Sequence, residues 1–190
     1  MKSMLVYRWP GRVPVLREGV FVIGVATSAK RPQAREQLRS ATRAALAAVL
    51  GVDADAINIE STPGEAPRIQ VAGDERTIGC SFTHDEGYAL AAINLHGSVG
   101  VDMMDVQDIH DWDNVARDYL GPQVCAALRA APASKQTTEF ARAWTRHEAW
   151  LKCQGRQLSE WQAGCEPSTG VALRGLPEGL VGHLAMADGS

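Results

Sequence analysis

An α+β fold with two similar α/β halves is what the sequence predicts, on three observations. A short, β-branched apolar run, "VFVIGVA" at 20–26, precedes a helical stripe at 33–50. Three strand-like runs then follow, "TIGCSFTH", "YALAAINL" and "SVGVDMMDV", joined by tight polar or glycine-containing links. Helical patterning returns before two more strand-like runs near the end, so the second half roughly echoes the first. Residues 1–98 and 99–190 are therefore expected to be the two halves of one functional unit.

The elements follow in order. The run at 20–26 is bounded by Gly19 and the "TSAKRP" turn, and its seven residues are too few to cross a bilayer. In the helix at 33–50, Leu38, Ala41, Ala45, Leu46 and Val49 form the apolar stripe, and Gly51 is the stop. Arg35, Arg39 and Arg43 recur every four residues on one flank, either as a solvated basic face or as an anion-binding ridge. "STPGEAP" is a turn-rich joint, and the three runs after it predict a small antiparallel meander. Residues 111–131 read as helix, stepped at "GP" 121–122. "APASKQ" reads as a loop, and "TTEF" as the capping-box start of a helix through "FARAWTRHEAWLKCQG" at 140–155. In the tail, "GVALRGLPEGLVGHLAMA" predicts two strands joined by "LPEG".

Composition excludes several classes. The 190 residues are 45% hydrophobic and 22% charged, ordinary for a globular protein. A net charge of −3 gives no electrostatic footprint for nucleic acid. "MKSMLVYRWPGR" lacks the apolar core of a signal peptide, and no run is long enough for a membrane span. The four cysteines are widely spaced without a CxxC, and with five scattered histidines they make no zinc pattern. Reduced thiols in the cytoplasm are the expectation.

Chemistry-bearing residues concentrate in three places: His84, Asp85 and Glu86 at a strand end, Asp102 and Asp105 in "GVDMMD", and His147, Glu148 and Lys152 on the long helix. Each alone has a plain explanation. His84 could cap a hairpin, Asp102 could end a strand, and Glu148 with Lys152 has the favourable order of an exposed helical ion pair. Together, "SFTHDEGYALAAI", "VGVDMMDV" and "FARAWTRHEAWLKCQG" resemble the 4′-phosphopantetheinyl transferase family of the surfactin-synthetase-activating type. Order and spacing agree from about residue 38 to 160; "EAPRIQ" looks like the family's Gly-Lys-Pro segment and "HLAMA" like its final strand.

The resemblance implies an intramolecular pseudo-dimer with coenzyme A in the cleft between its halves, in a monomer with internal pseudo-twofold symmetry. It implies Mg²⁺-dependent transfer of the phosphopantetheine arm of coenzyme A to a serine of an acyl or peptidyl carrier protein, in fatty-acid-like, polyketide or peptide biosynthesis. Neither nucleic acid nor membrane is an expected partner. Asp102 and Glu148 match metal ligands, Glu148 also orienting or deprotonating the serine, and Lys152 matches the lysine at the transferring phosphates. His84 and Thr83 match the Ser-His pair that binds the nucleotide phosphate, and Arg39 and Arg43 are further candidates for anion binding. Two departures stand out. Met104 occupies the place of a carboxylate, and Asp85 is the expected oxygen donor in its stead. His147 replaces a lysine near coenzyme A, so a neutral imidazole stands where a fixed charge is usual. A non-catalytic homologue that binds carrier protein or coenzyme A is the second reading.

Overall fold

The computed structural model describes residues 3–28, 31–62, 65–85, 87–164 and 170–187. Nine strands form one sheet: β1 (Ser3–Arg8), β2 (Val20–Ala26), β3 (Ile57–Glu60), β4 (Arg68–Val71), β5 (Asp74–Asp85), β6 (Tyr88–Asn94), β7 (Val99–Asp105), β8 (Val171–Arg174) and β9 (Leu180–Met186). Their spatial order is β3-β4-β5-β6-β2-β1-β8-β9-β7. Helix α1 (Arg31–Leu50) lies in the first half; α2 (Trp112–Val115), a π-helical turn (Ala116–Leu120), α3 (Pro122–Ala130) and α4 (Ala133–Cys153) lie in the second. Among the described residues, no helix is long and apolar enough to cross a membrane.

The halves share a connectivity. β2 leads into α1, and its sheet closes with β6 between β2 and β5, all antiparallel. β7 leads into the later helices, and its sheet closes with β9 between β7 and β8, again antiparallel. β1 runs parallel to β2 on one side and to β8 on the other, joining the two sets.

β2 has no polar face because both of its faces are covered. Phe21 and Ile23 pack under α1 with Leu38, Leu46 and Ile93. Val20 and Val22 face the other half with Leu90, Val99, Val101 and Leu184. A strand buried on both sides reads as a continuous apolar run. α3, α4 and the π-helical turn enclose a smaller core of Leu120, Cys125, Leu128 and Phe140.

Two sequence expectations are corrected. The meander ends at β6: β7 pairs not with β6 but with β9, over seven residues from Val99↔Met186 to Asp105↔Leu180. Tight links report which strands are consecutive, and a partner some eighty residues on leaves no local signal. α4 starts at Ala133 rather than at "TTEF", because Pro132 precedes its first turn and Lys135 already donates to the Pro132 carbonyl at 2.8 Å. Pro63, Gly64, Glu86 and Cys165 fall outside the described residues, so the centre of the "STPGEAP" joint, the middle of the His84 cluster and one thiol are not described.

Candidate functional site

The site forms where β5 and β7 lie side by side without a backbone ladder between them. Alternate residues of β5 cross that seam with their side chains. Ser81 Oγ accepts from Val101 N at 3.1 Å, Thr83 Oγ1 donates to Asp102 Oδ1 at 2.9 Å, and Asp85 Oδ2 accepts from Asp105 N at 2.7 Å. The period-2 pleat accounts for the choice of 81, 83 and 85, while Cys80 and Phe82 point into the core beneath α1.

On β7, Val101 and Met103 enter the core between the halves, which leaves Gly100 and Asp102 on the face toward α4. A Cβ on Gly100 would stand 1.9 Å from the Ala149 carbonyl oxygen and 2.5 Å from Cys153 N. Helix and strand therefore touch backbone to backbone, which only glycine permits. That approach brings the last turns of α4 onto Asp102. Lys152 Nζ donates to Asp102 Oδ1 at 2.7 Å and to the Val101 carbonyl at 3.2 Å.

Asp102 is buried, and burial pushes its carboxyl above the usual range, although Lys152 and Thr83 pull it back. Glu148, half-buried one turn before Lys152, is also raised, first by burial and then by the negative charge of Asp102. Two carboxylates, each raised by burial and one raised further by the other, share a single ammonium and form a hard-oxygen donor set short of positive charge.

Lys152 also lines a cavity of about 780 Å³ between the first half and the end of α4. Arg35, Arg68, Arg76 and Arg156 share that lining, with Ser81 and Phe82, and Glu65 is its only carboxylate among the described residues. Sequence reasoning did not single out Arg68 or Arg76. Arg68 lies inside "EAPRIQ" on the four-residue β4, and Arg76 lies on β5 just ahead of "TIGCSFTH", so neither was singled out as a cation of the site.

The structure brings together Thr83, Asp102, Glu148 and Lys152, and separates the rest. Asp85 points along the seam to Asp105 rather than to Asp102, and it lines a different pocket with Tyr88, Asp105 and Glu178. Among the described residues, no group of three or more His, Cys, Asp or Glu lies close enough to hold a metal ion. His84 is exposed and does not line the large cavity. Arg39 pairs with Glu36, and neither Arg39 nor Arg43 reaches the cavity; of the α1 ridge only Arg35 does. A four-residue repeat advances about 6 Å per step along the helix, so successive arginines climb away from a site that one of them meets.

His147 also stands apart from the large cavity. One residue from Glu148 is ~100° around the helix, and that turn carries the imidazole away from the large cavity. It is buried beside Trp150 and lines a space of about 10 Å³ with Trp161, room for one water. Burial, reinforced by Arg156, holds its pKa below the ordinary histidine value. His183 was not singled out in the sequence. Paired with Asp102 across β7 and β9, it shares a hydrogen bond of 2.8 Å with Thr145 on α4 and is pushed down to about 4 by burial and Arg146.

Comparison with known proteins bears on these elements. The family model described as the 4′-phosphopantetheinyl transferase superfamily matches residues 98–169. The chain is similar to 4′-phosphopantetheinyl transferase HetI of Nostoc sp., 25% identical over 142 residues, covering 73% of this chain and 60% of that protein. It is also similar to slr0495 of Synechocystis sp., whose name assigns the same activity provisionally, at 26% identity over 133 residues, 68% of this chain and 54% of that one. The chain thus spans a little over half the length of these relatives. The segment matched by the family model holds Gly100, Asp102, Glu148 and Lys152 together, so the resemblance to the 4′-phosphopantetheinyl transferase superfamily covers the carboxylates and the lysine of this site.

Proposed function

We propose that the protein transfers the 4′-phosphopantetheine arm of coenzyme A to a serine of an acyl or peptidyl carrier protein. The observation that carries this reading is Lys152, which lines an arginine-rich cavity and at the same time binds Asp102 beside Glu148. A cavity with five cations and one carboxylate in its lining suits a polyanionic nucleotide. A magnesium ion bound there would supply neutralisation of the diphosphate charge. Asp102 and Glu148 are the residues that would hold it, and two carboxylates suffice for a cation that keeps several waters.

The chain's own groups then have distinct tasks. Thr83 and Lys152 fix the Asp102 carboxylate. Glu148, its basicity raised by burial and by Asp102, accepts the proton of the attacking serine hydroxyl. Lys152 offers its ammonium to the phosphate charge that develops as the serine oxygen bonds to the β-phosphorus and adenosine 3′,5′-bisphosphate departs. The common strand order of residues 1–98 and 99–190 supports reading them as an intramolecular pseudo-dimer, and the position of the cavity supports coenzyme A in the cleft between them.

The test is incubation of the purified chain with coenzyme A, Mg²⁺ and apo-carrier protein, read by mass spectrometry. One phosphopantetheine added to the carrier, and lost when EDTA is present, is the expected result. Carrier and coenzyme A binding without any mass gain would instead support the non-catalytic reading, which Met104 and the engagement of Asp85 by Asp105 N favour.

A further inference from the structure

The large cavity is walled by cations from both halves, and most are accounted for. Arg76 is clamped by Asp74, with Nε 2.9 Å from each carboxylate oxygen, and Lys152 is engaged by Asp102 at 2.7 Å. Arg35 and Arg68, both from the first half, have no ion pair among the described residues. From the second half, besides Lys152, the lining cation is Arg156.

The way α4 ends fixes where Arg156 stands. Gln154 caps the helix, and Gly155 turns the chain at φ +63°. Gly155 N donates to the Lys152 carbonyl at 3.1 Å and Arg156 N to the Leu151 carbonyl at 2.9 Å. These are the two bonds of a Schellman motif, in which the residue after the glycine folds back over the last turn. An apolar residue usually makes the accompanying contact. Here the guanidinium of Arg156 lies over the Trp150 ring, 5.4 Å from its centroid. The ring is a shelf that holds a cation beside the cavity. The need for it is electrostatic, since the carbonyl end of a helix repels anions. With Lys152 shared with Asp102, a phosphate nearing α4 requires a second positive group there.

We propose that Arg156 is a coenzyme A-binding residue, the group through which the second half grips the phosphates, with Trp150 as its positioning residue. The proposal rests on the coenzyme A reading above. Isothermal titration of the full chain with coenzyme A, without carrier, tests it through Arg156→Gln, Arg156→Lys and Trp150→Leu. Loss of a charge-assisted contact predicts that Arg156→Gln weakens the dissociation constant about 10-fold or more. Arg156→Lys should recover part of that, and Trp150→Leu should weaken binding less than Arg156→Gln. The affinity of the parent should fall more steeply with added KCl than that of Arg156→Gln, and in turnover the larger share of the loss should appear in the KM for coenzyme A. A merely structural role would leave the salt dependence and the KM unmoved. Parent-like binding by Arg156→Gln, in a protein that still modifies its carrier, overturns this proposal and leaves the transferase reading intact. A parent that binds coenzyme A but modifies no carrier, with binding still weakened in Arg156→Gln, sinks the transferase reading and upholds this one. A parent that binds no coenzyme A overturns both.

Discussion

Asp102 and Glu148 carry the same charge to the same place, yet they respond differently to substitution. Asp102 is buried in a pair with Lys152, so Asp102→Asn strands an ammonium. The Lys152 ammonium is partly exposed and water takes up some of its charge, so the loss should fall below the about 3–5 kcal/mol of a fully buried pair. Asp102→Asn is therefore expected to lower the melting temperature as well as transfer. The sequence placed this residue at a strand end, which would have spared the fold; its burial in mid-strand does not. Glu148 is half-buried, and its charged form is disfavoured by burial and by Asp102. Glu148→Gln removes that repulsion, so stability should hold or rise while transfer falls at least ~100-fold, as when a transition-state charge partner is lost. The sign with pH is fixed by the raised pKa. The folded state holds the proton more tightly, so the parent loses stability relative to Glu148→Gln as pH rises from the ordinary carboxylate range through the Glu148 value. Thermal melts across pH, paired with the carrier assay, check all of this. A parent-like melt for Asp102→Asn would contradict the buried-pair account.

Two glycines set the geometry of α4. Gly100→Ala puts a methyl group into the backbone of the helix, and with no side chain able to yield, the cost should be about 1–3 kcal/mol. Transfer should fall further than stability, because α4 carries Lys152 away from Asp102 as it shifts. Gly155→Ala meets open space, so its cost is the strain of positive φ alone, about 1 kcal/mol. Chemical denaturation ranks the two, and a Gly100→Ala change milder than Gly155→Ala would refute the backbone-contact argument. At this scale the sequence was legible where period and composition were local. The stripe from Leu38 to Val49, the break at Gly121, and the joint "LPEG" all appear where the spacing puts them. β3 and β4 were missed because four residues of alternation do not stand out, and with them went Arg68 on the cavity wall.

At the scale of the whole molecule, the seam between β5 and β7 is what the sequence could hint at but not place. Thr83, Asp102, Glu148 and Lys152 were recognisable by motif, whereas Ser81 bonding to Val101 and His183 bonding to Thr145 exist only once distant strands meet. His183 gives the assembly a pH limit. A buried histidine whose pKa is held down to about 4 stays neutral when folded and binds a proton when unfolded below its ordinary value of 6.5. Stability is therefore full above about pH 6.5 and lost as pH falls toward 4, by up to about 3 kcal/mol. The lowered pKa of His147 adds in the same direction. His183→Asn should flatten the melting temperature across that window, and an equally steep decline in the variant would assign acid sensitivity elsewhere.

β1, the strand that sits between β2 and β8, also sets a schedule for synthesis. It is made before either neighbour, yet one of its edges has none until Val171–Arg174 emerges, and β7 waits for Leu180–Met186 in the same way. The strand that carries Asp102 thus waits with an open edge while the residues up to Leu180 are made, a template for pairing with other nascent chains. A stop codon shortly before residue 180 would remove none of the residues placed at the site, yet it should drive the product into inclusion bodies, because the last strand is the one that seals the first strand of the second half.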